Sequence, residues 1–189
     1  TLKKFDIAIL GGGILGTSIS YWLSNLYDSS ICVLEKESDV AKHTSGRNTG
    51  VVHTPFYLDP EKKKVFAKSS HISHELWKKL ANNTSSPWNE VGTIEVALDD
   101  SQHKTLEKYY KWGIQNGVSE ENLFLLDSDE IKQKEKNIEC HSGLLCKSDV
   151  STDYSILTQE LSNLSKQNST EFIFQKSVKS FIINESSIQ

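Results

Sequence analysis

The chain has 189 residues, of which 37% are hydrophobic, and a formal net charge of −4. Acidic and basic residues are interspersed, so no basic stripe indicates a nucleic-acid partner, while a peripheral membrane contact stays compatible with this composition. No apolar run approaches the length of a membrane span, and we expect no signal peptide because Lys3 and Lys4 lead directly into a strand pattern.

The three cysteines form an odd count, which favours a reducing compartment over a disulfide framework. Cys140 and Cys146 lie near His141, but this spacing matches no common zinc pattern. We therefore predict no metal site and a cytoplasmic protein, with association at the inner face of the membrane as an open alternative.

The first predicted element is an apolar strand, residues 5–10, that runs into Gly-Gly-Gly-Ile-Leu-Gly at positions 11–16. Gly11 permits a tight turn, and Gly13 lets the backbone approach phosphate oxygens. Gly16 lets the following helix pack close to the sheet. The helix begins near Ile14 and Leu15 and directs unpaired N–H groups and its positive dipole end at an anion. On its own this G-x-G-x-x-G motif is weak, because glycine-rich turns also serve packing alone.

The context of the glycines strengthens the prediction. A helix with apolar residues at helical spacing follows them, and a second strand, residues 31–34, ends in Glu35. A carboxylate about twenty residues beyond the glycines hydrogen-bonds an adenosine ribose, whereas a basic residue there would favour a 2′-phosphate. This β-α-β unit predicts a dinucleotide site with a free ribose. Lys36 is a further candidate contact, with a solvated charge at the strand end as the alternative.

A loop of small and polar residues follows, and its backbone is expected to approach the same cofactor. Arg47, the only arginine in the chain, either meets the cofactor phosphates or fixes the loop through a carboxylate. His53 is the candidate catalytic base or cofactor-tuning group, because imidazole titrates near neutral pH, and a structural histidine is the equal alternative. The remaining candidate contacts, for which ordinary turn formation is the alternative, are Ser45, Gly46, Asn48, Thr49 and Gly50.

The rest of the chain predicts alternating helices and strands. Helices are predicted over residues 61–80, from a cap at 99–101 to Gly117, from Ser128, and from Asp153. Strands are predicted over residues 89–98, 123–126, 143–146, 171–174 and 178–183, and residues 148–152 are predicted to be a polar turn.

Taken together, residues 11–16, 34–37 and 45–53 resemble the FAD-dependent oxidoreductases of the D-amino-acid oxidase superfamily. The similarity is greatest to the L-2-hydroxyglutarate dehydrogenase/oxidase branch, with the flavin-dependent glycerol-3-phosphate dehydrogenases next. Four later stretches follow that branch in order: residues 126–131, 135–138, 143–145 and 153–154. The chain departs from the family at Thr54-Pro55, where a small residue and glycine are usual, and at Glu135-Lys136, where Glu-Pro is usual.

The resemblance implies an α/β fold: a Rossmann-like FAD-binding domain containing the GxGxxG β-α-β unit, with part of an antiparallel α+β substrate domain. The FAD-binding domain would comprise residues 1–85 and 150–189, and residues 86–149 would be the substrate-domain segment. A backbone position in the strand after the return helix meets the adenine in such enzymes, and Val178 is the matching residue. Members of the family are longer, so we expect a truncated chain in which the C-terminal half of the architecture is absent.

The implied function is oxidation of the CH–OH group of a small 2-hydroxy acid such as L-2-hydroxyglutarate, by hydride transfer to FAD. The electrons would pass to a quinone, oxygen or an electron-transfer protein. Three alternatives remain: a flavin-dependent glycerol-3-phosphate dehydrogenase or amino-acid oxidase, an NAD-dependent dehydrogenase, and a catalytically inert nucleotide-binding fragment. The loop at residues 45–53 argues against NAD, because a nicotinamide-binding fold does not need it.

Overall fold

The computed structural model describes residues 3–184. Its helices are α1 (Ile14–Leu26), α2 (Lys64–Asn82), α3 (Asp100–Gln115), α4 (Ser128–Lys134) and α5 (Tyr154–Gln167). Its strands are β1 (Ile7–Leu10), β2 (Ile31–Leu34), β3 (Val51–Val52), β4 (Trp88–Asn89), β5 (Thr93–Ala97), β6 (Leu123–Asp127), β7 (Ser142–Cys146), β8 (Val150–Thr152) and β9 (Glu171–Ile173). None of the helices within these residues is long and apolar enough to cross a bilayer.

The chain divides into two compact units. Unit 1 contains the residues up to Thr49 and those from Asp153 onward, and unit 2 is Gly50–Thr152. Residues 50–85, which we assign from the sequence to the FAD-binding domain, thus lie in unit 2, because β3 pairs with β8 and α2 contacts β4. Which unit binds which ligand remains a prediction.

Unit 1 is a parallel sheet in the order β1-β2-β9. The central strand is the most buried, because Ile31 and Val33 lie between two neighbouring strands and contribute to a small apolar core. Helix α1 connects β1 to β2, so the predicted β-α-β unit is present. Helix α5 packs on α1, and the hydroxyls of Ser20 and Ser165 meet at 3.0 Å in the buried contact.

Unit 2 contains an antiparallel sheet in the order β5-β7-β6 and a smaller one in the order β3-β8-β4. Every residue of the central strand β7 is buried, so both faces of this antiparallel sheet are covered at β7. The core beside this sheet comprises seven buried residues: Phe56, Ala97, Leu106, Val118, Leu123, Leu144 and Cys146. Helix α3 begins at the predicted cap, since Asp99 accepts a hydrogen bond from the Gln102 N–H at 2.9 Å.

Three strand or turn predictions were wrong. The strand predicted over 89–98 is two strands in different sheets, because Gly92 adopts φ +72° and donates its N–H to the Asp149 carbonyl at 3.0 Å. The turn predicted over 148–152 contains β8.

The strand predicted over 178–183 is not formed within the described residues, where a single bridge occurs at Ile183. The chain leaves the sheet after β9, because Gln175 adopts φ +57° and the Lys176 N–H bonds to the Glu35 carbonyl at 3.0 Å. Val178 is therefore exposed and lies outside any strand.

Candidate functional site

The glycine-rich turn of unit 1 joins β1 to α1 with very little space. Gly11 adopts φ +100° and donates its N–H to the Leu34 carbonyl at 2.8 Å. A Cβ at Gly16 would lie 1.9 Å from the Gly11 carbonyl oxygen. Glycine is therefore required at both positions, by conformation at the first and by close approach at the second.

The amino end of α1 has the features of an anion site. Gly13 caps the helix without a side-chain hydrogen bond, and the first turn contains no acidic residue. The Ile14 N–H donates to the Ser45 hydroxyl at 2.9 Å, and a Cβ at Gly13 would lie 3.0 Å from that hydroxyl. The Leu15 side chain is exposed, so this residue offers its backbone N–H alone. These groups fit a diphosphate, which helix N–H groups and the helix dipole stabilise.

Glu35 lies beneath the glycine turn. One carboxylate oxygen accepts the Gly12 N–H at 2.5 Å, and the other accepts the Glu37 N–H at 2.9 Å. The side chain is buried, yet a carboxylate accepts about four hydrogen bonds, so capacity remains for a ribose diol. Glu35 is thus held against the glycine turn, and its contact with a ribose stays a prediction.

The loop after β2 contributes mainly backbone and one hydroxyl. A Cβ at Gly46 would lie 2.2 Å from the Ala41 carbonyl oxygen, so the chain passes very close to itself there. Asn48 donates from its side-chain amide to the carbonyls of Thr44 and Ser45, at 3.1 and 2.9 Å. These hydrogen bonds are those of the turn-forming alternative, and a cofactor contact of Asn48 stays a prediction.

Charged residues of this loop lie near Glu37. A hydrogen bond from His43, at 2.8 Å, is the main reason that the pKa of Glu37 falls below its ordinary value, and the charges of Lys36 and Arg47 act in the same direction. Lys36 lies 3.8 Å from the Glu37 carboxylate, and the side chains of Arg47 and Thr49 are exposed. Arg47 is therefore close to a carboxylate and accessible to a ligand at once.

The structure brings most of the predicted cofactor residues together in unit 1. The glycine turn, Glu35 and Ser45 are joined by hydrogen bonds, and the segment leading to Val178 is anchored beside Glu35 through the Lys176 N–H. Gly50 is placed elsewhere: it belongs to unit 2, adopts φ +70°, and accepts the Thr152 N–H at 2.7 Å. Glycine is needed at position 50 because a Cβ there would lie 2.5 Å from the Thr152 carbonyl oxygen.

In unit 2, His53 is paired with a buried aspartate. Its Nδ1 lies 2.7 Å from Oδ2 of Asp149, and the two side chains are 40% and 0% exposed. Asp149 also accepts the Thr54 N–H at 2.7 Å, the Thr54 hydroxyl at 2.8 Å and the Thr93 hydroxyl at 2.7 Å. Asp149 occupies Nδ1, so Nε2 is the ring nitrogen left for a second partner.

This pairing shifts the titration of both groups. The hydrogen bond to Asp149 raises the pKa of His53 above its ordinary value of 6.5, against the lowering effect of burial, and the charges of Asp149 and Glu95 add to the increase. Burial alone would raise the pKa of Asp149, but the hydrogen bonds from His53, Thr54 and Thr93 outweigh it and lower the pKa. Asp149 is therefore a carboxylate at neutral pH, and His53 titrates above 6.5.

Sequence reasoning missed Asp149 and Thr93. They lie 96 and 40 residues after His53 in sequence, and Asp149 falls in a polar stretch typical of a turn. Pro55, a departure from the family pattern, does not remove a donor from this cluster. The donor is the N–H of Thr54, while Pro55 is buried and accepts the side-chain amide of Asn116 at 2.8 Å.

A parallel β-α-β unit with an open helix N-terminus and a carboxylate at the end of the second strand defines a dinucleotide-binding protein of the Rossmann class. The chain belongs to the DAO family, described as FAD dependent oxidoreductase, whose model matches residues 6–188. The family and fold predicted from the sequence are confirmed, as is FAD as the cofactor of this family.

Named relatives lie in two branches. The chain is 37% identical over 136 residues to a glycerol 3-phosphate dehydrogenase of Caloramator mitchellensis, covering 71% of this chain and 27% of the relative. It is 35% identical over 153 residues to a mitochondrial L-2-hydroxyglutarate dehydrogenase of Pongo abelii, covering 76% of this chain and 35% of the relative. The chain thus spans about a third of these relatives' lengths.

Among solved structures, the reduced L-alpha-glycerophosphate oxidase of Mycoplasma pneumoniae with FAD bound superposes with a TM-score of 0.81 at 27% identity. The match covers 95% of this chain and 47% of the oxidase. The similarity therefore extends over both units, each of which has its counterpart in a protein of this fold.

Proposed function

We propose that the protein oxidises the CH–OH group of a small 2-hydroxy acid such as L-2-hydroxyglutarate, with FAD as the hydride acceptor. The 35% identity to an L-2-hydroxyglutarate dehydrogenase supports this substrate class. Reoxidation would use a quinone, oxygen or an electron-transfer protein. Because the chain spans about a third of these relatives' lengths, the substrate and the acceptor are proposed for the whole protein.

In this proposal unit 1 binds FAD. The diphosphate takes N–H groups at Gly13, Leu15 and Gly16, and it shares the Ile14 N–H with the Ser45 hydroxyl, while Gly11 shapes the turn. Glu35 binds the adenosine ribose, and the backbone at Val178 meets the adenine. The loop of unit 1 contributes further contacts from Lys36, Ser45, Gly46, Arg47, Asn48 and Thr49, and Gly50, the first residue of unit 2, is a separate candidate contact.

The observation that carries the proposal is the pair formed by His53 and Asp149, 2.7 Å apart. FAD, when bound, would supply the acceptor for the hydride that leaves when the C–H bond of the alcohol breaks. The O–H bond breaks as well, and Nε2 of His53 accepts its proton. A neutral imidazole with Nδ1 bonded to a carboxylate is a suitable base near neutral pH.

Glycerol 3-phosphate is the second candidate substrate, because the relative from Caloramator mitchellensis is 37% identical. An amino acid is a third. Asp149 and Glu95 add negative charge around His53, so the acid group of any of these substrates must be bound away from those two carboxylates. The rival function of another class is nucleotide binding without catalysis.

We expect His53→Gln to slow flavin reduction by about 10²- to 10⁴-fold while leaving FAD affinity unchanged, because the variant loses the proton acceptor and no predicted FAD contact. The measurement is anaerobic bleaching of the FAD-loaded protein in a stopped-flow instrument. The panel contains L-2-hydroxyglutarate, glycerol 3-phosphate, malate and amino acids. His43→Gln in unit 1 is the matched control, since His43 is an exposed histidine bonded to a different carboxylate.

The panel also separates the candidate functions. Fastest reduction by L-2-hydroxyglutarate supports the proposed substrate, and fastest reduction by glycerol 3-phosphate supports the second candidate. FAD that binds but is reduced by no compound would overturn the proposed oxidation in favour of nucleotide binding alone. A colourless protein that binds NAD in calorimetry would overturn the flavin assignment.

Ribose recognition gives a separate prediction. Glu35→Gln should weaken FAD binding by about tenfold, since a charge-assisted hydrogen bond contributes about 1.5 kcal/mol more than its neutral replacement. Binding of FMN, which has no adenosine, should not change. The control Asp6→Asn also converts a carboxylate to an amide, but its Ser30 partner lies at the opposite end of the strands. Equal losses for FAD and FMN would contradict a ribose contact.

A further inference from the structure

Asp149 holds the ring of His53 through a contact that involves two successive residues. Oδ2 of Asp149 takes Nδ1 of His53 at 2.7 Å, and Oδ1 takes the backbone N–H of Thr54 at 2.7 Å. The carboxylate therefore bridges the side chain of His53 and the backbone N–H of the next residue, Thr54. This arrangement fixes the ring relative to its own main chain, which a contact with the ring alone would not do.

The carboxylate is itself immobilised. Oδ1 accepts the Thr54 hydroxyl at 2.8 Å as well, and Oδ2 accepts the Thr93 hydroxyl at 2.7 Å. The Gly92 N–H bonds to the Asp149 carbonyl at 3.0 Å, so the main chain is held too. These four N–H and O–H hydrogen bonds fill the acceptor capacity of a carboxylate, the Cys146 thiol lies at 3.5 Å from Oδ1 as a longer fifth donor, and full burial excludes water as a substitute.

We propose that Asp149 is a positioning residue for His53, which fixes the imidazole in the Nδ1-protonated tautomer and presents the lone pair of Nε2 to the substrate. The partner of one ring nitrogen determines which nitrogen carries the proton. An ionised carboxylate with all four acceptor sites filled can only accept at Nδ1. The catalytic use of Nε2 rests on the proposed function, whereas the tautomer does not.

The same contacts determine which group receives the proton of the substrate hydroxyl. When the substrate O–H bond breaks, the new N–H bond forms at Nε2, and the ring becomes an imidazolium cation. Asp149 keeps its negative charge and stabilises that cation. It does not take the proton, since its four donors favour the ionised form and lower the pKa of Asp149.

Other groups also face the ring of His53. The negative charge of Glu95 on β5 favours the protonated imidazole. The ring of Tyr57 lies edge-on to the ring of His53, with centroids 5.6 Å apart and planes at 88°. Burial is the main reason that the pKa of Tyr57 is raised, and the charges of Asp149 and Glu95 add to the increase. The Tyr57 hydroxyl therefore stays protonated. Loss of Asp149 should therefore lower the pKa of His53 without removing the contribution of Glu95.

The test is NMR of the FAD-free chain labelled with ¹³C and ¹⁵N in histidine, with His53 assigned from His53→Gln. In the unsubstituted protein we expect the neutral ring to show the Nδ1–H tautomer. In Asp149→Asn we expect the Nε2–H tautomer and a lower pKa for His53. Glu37→Gln is the control, since it removes the carboxylate bonded to His43 and should alter His43 alone.

A further variant keeps the proposal testable if Asp149→Asn does not fold. Thr93→Val removes one donor from Oδ2 of Asp149, which leaves this oxygen a stronger acceptor and should raise the pKa of His53 while the tautomer is retained. An Nε2–H tautomer in the unsubstituted protein would overturn the proposal. So would an unchanged pKa of His53 in every variant of the two that folds.

Flavin reduction separates this proposal from the proposed function. With a competent substrate, Asp149→Asn should lower the reduction rate roughly ten- to a hundredfold and move the acid limb of its pH profile to lower pH, without changing FAD affinity. A changed tautomer with an unchanged reduction rate would remove His53 from catalysis and leave its positioning by Asp149 intact. An unchanged tautomer would overturn the positioning whatever the rate.

Discussion

Gly16→Ala is expected to destabilise unit 1 by about 3 kcal/mol and to abolish FAD binding. A Cβ at this position would lie 1.9 Å from the Gly11 carbonyl oxygen, so the backbone of either the turn or α1 must move. Both belong to the predicted diphosphate site. In an unconstrained helix the same change would stabilise by about 1 kcal/mol, so the predicted sign is opposite to that of helix propensity.

The measurement is the midpoint of urea unfolding, together with quenching of flavin fluorescence. Ser18→Ala is the matched control, because it also introduces alanine into the first half of α1 without a backbone clash. It should keep or slightly raise the stability. An unfolding midpoint for Gly16→Ala equal to that of the control would contradict the prediction, because it would show that the turn accommodates the Cβ without a loss of stability.

The parts of the fold that could be predicted depend on short-range chemistry. The turn after β1 follows from local rules, since Gly11 needs a positive φ and Gly16 a close approach. The capped start of α4 is equally local: Asp127 and Glu130 exchange side-chain to backbone hydrogen bonds of 2.9 Å three residues apart. Each of these features can be recognised within a window of a few residues.

The face that α1 buries was less predictable. Apolar spacing predicts a helix there, yet Ile19 and Leu26 are exposed, and the buried residues are Gly16, Thr17 and Ser20. Close packing of α1 on α5 requires small side chains at the contact. A hydrophobicity pattern therefore identifies the helix but not the surface that packs.

In the candidate catalytic cluster, His53 could be predicted from the sequence, but its partners Asp149 and Thr93 could not. His53 follows a loop with an unusual composition, whereas Asp149 follows β7 and is joined to it only by the fold of unit 2. Thr93 meets Asp149 from β5, a strand that pairs with β7. Pairing of strands far apart in sequence leaves no local signal, so only the three-dimensional structure gives the partner of His53.

Asp149→Ala is expected to lower the free energy of unfolding by about 3 kcal/mol at pH 6, because it leaves the Thr54 N–H and the Thr93 hydroxyl without their acceptor. This loss of stability is smaller than that expected for breaking a fully buried ion pair, because the ring of His53 is 40% exposed and can be hydrated. Asp59→Ala is the control: the pKa of Asp59 is also lowered, chiefly by backbone N–H groups, but it has no histidine partner, so its loss should be smaller.

The pH dependence of this loss distinguishes the pair from a simple packing defect. The pKa of Asp149 is lowered, so its contribution is present above the ordinary value of 3.8 and disappears as pH falls through the folded-state pKa. The pKa of His53 is raised, so its contribution is complete below 6.5 and declines as pH rises through the folded-state pKa. The difference between Asp149→Ala and the unsubstituted protein should therefore be greatest from about pH 4 to 6.5 and smaller above, where the neutral ring keeps only its Nδ1–H bond. Urea unfolding at pH 5, 6.5 and 8.5 measures it, and a difference independent of pH would contradict the charged pair.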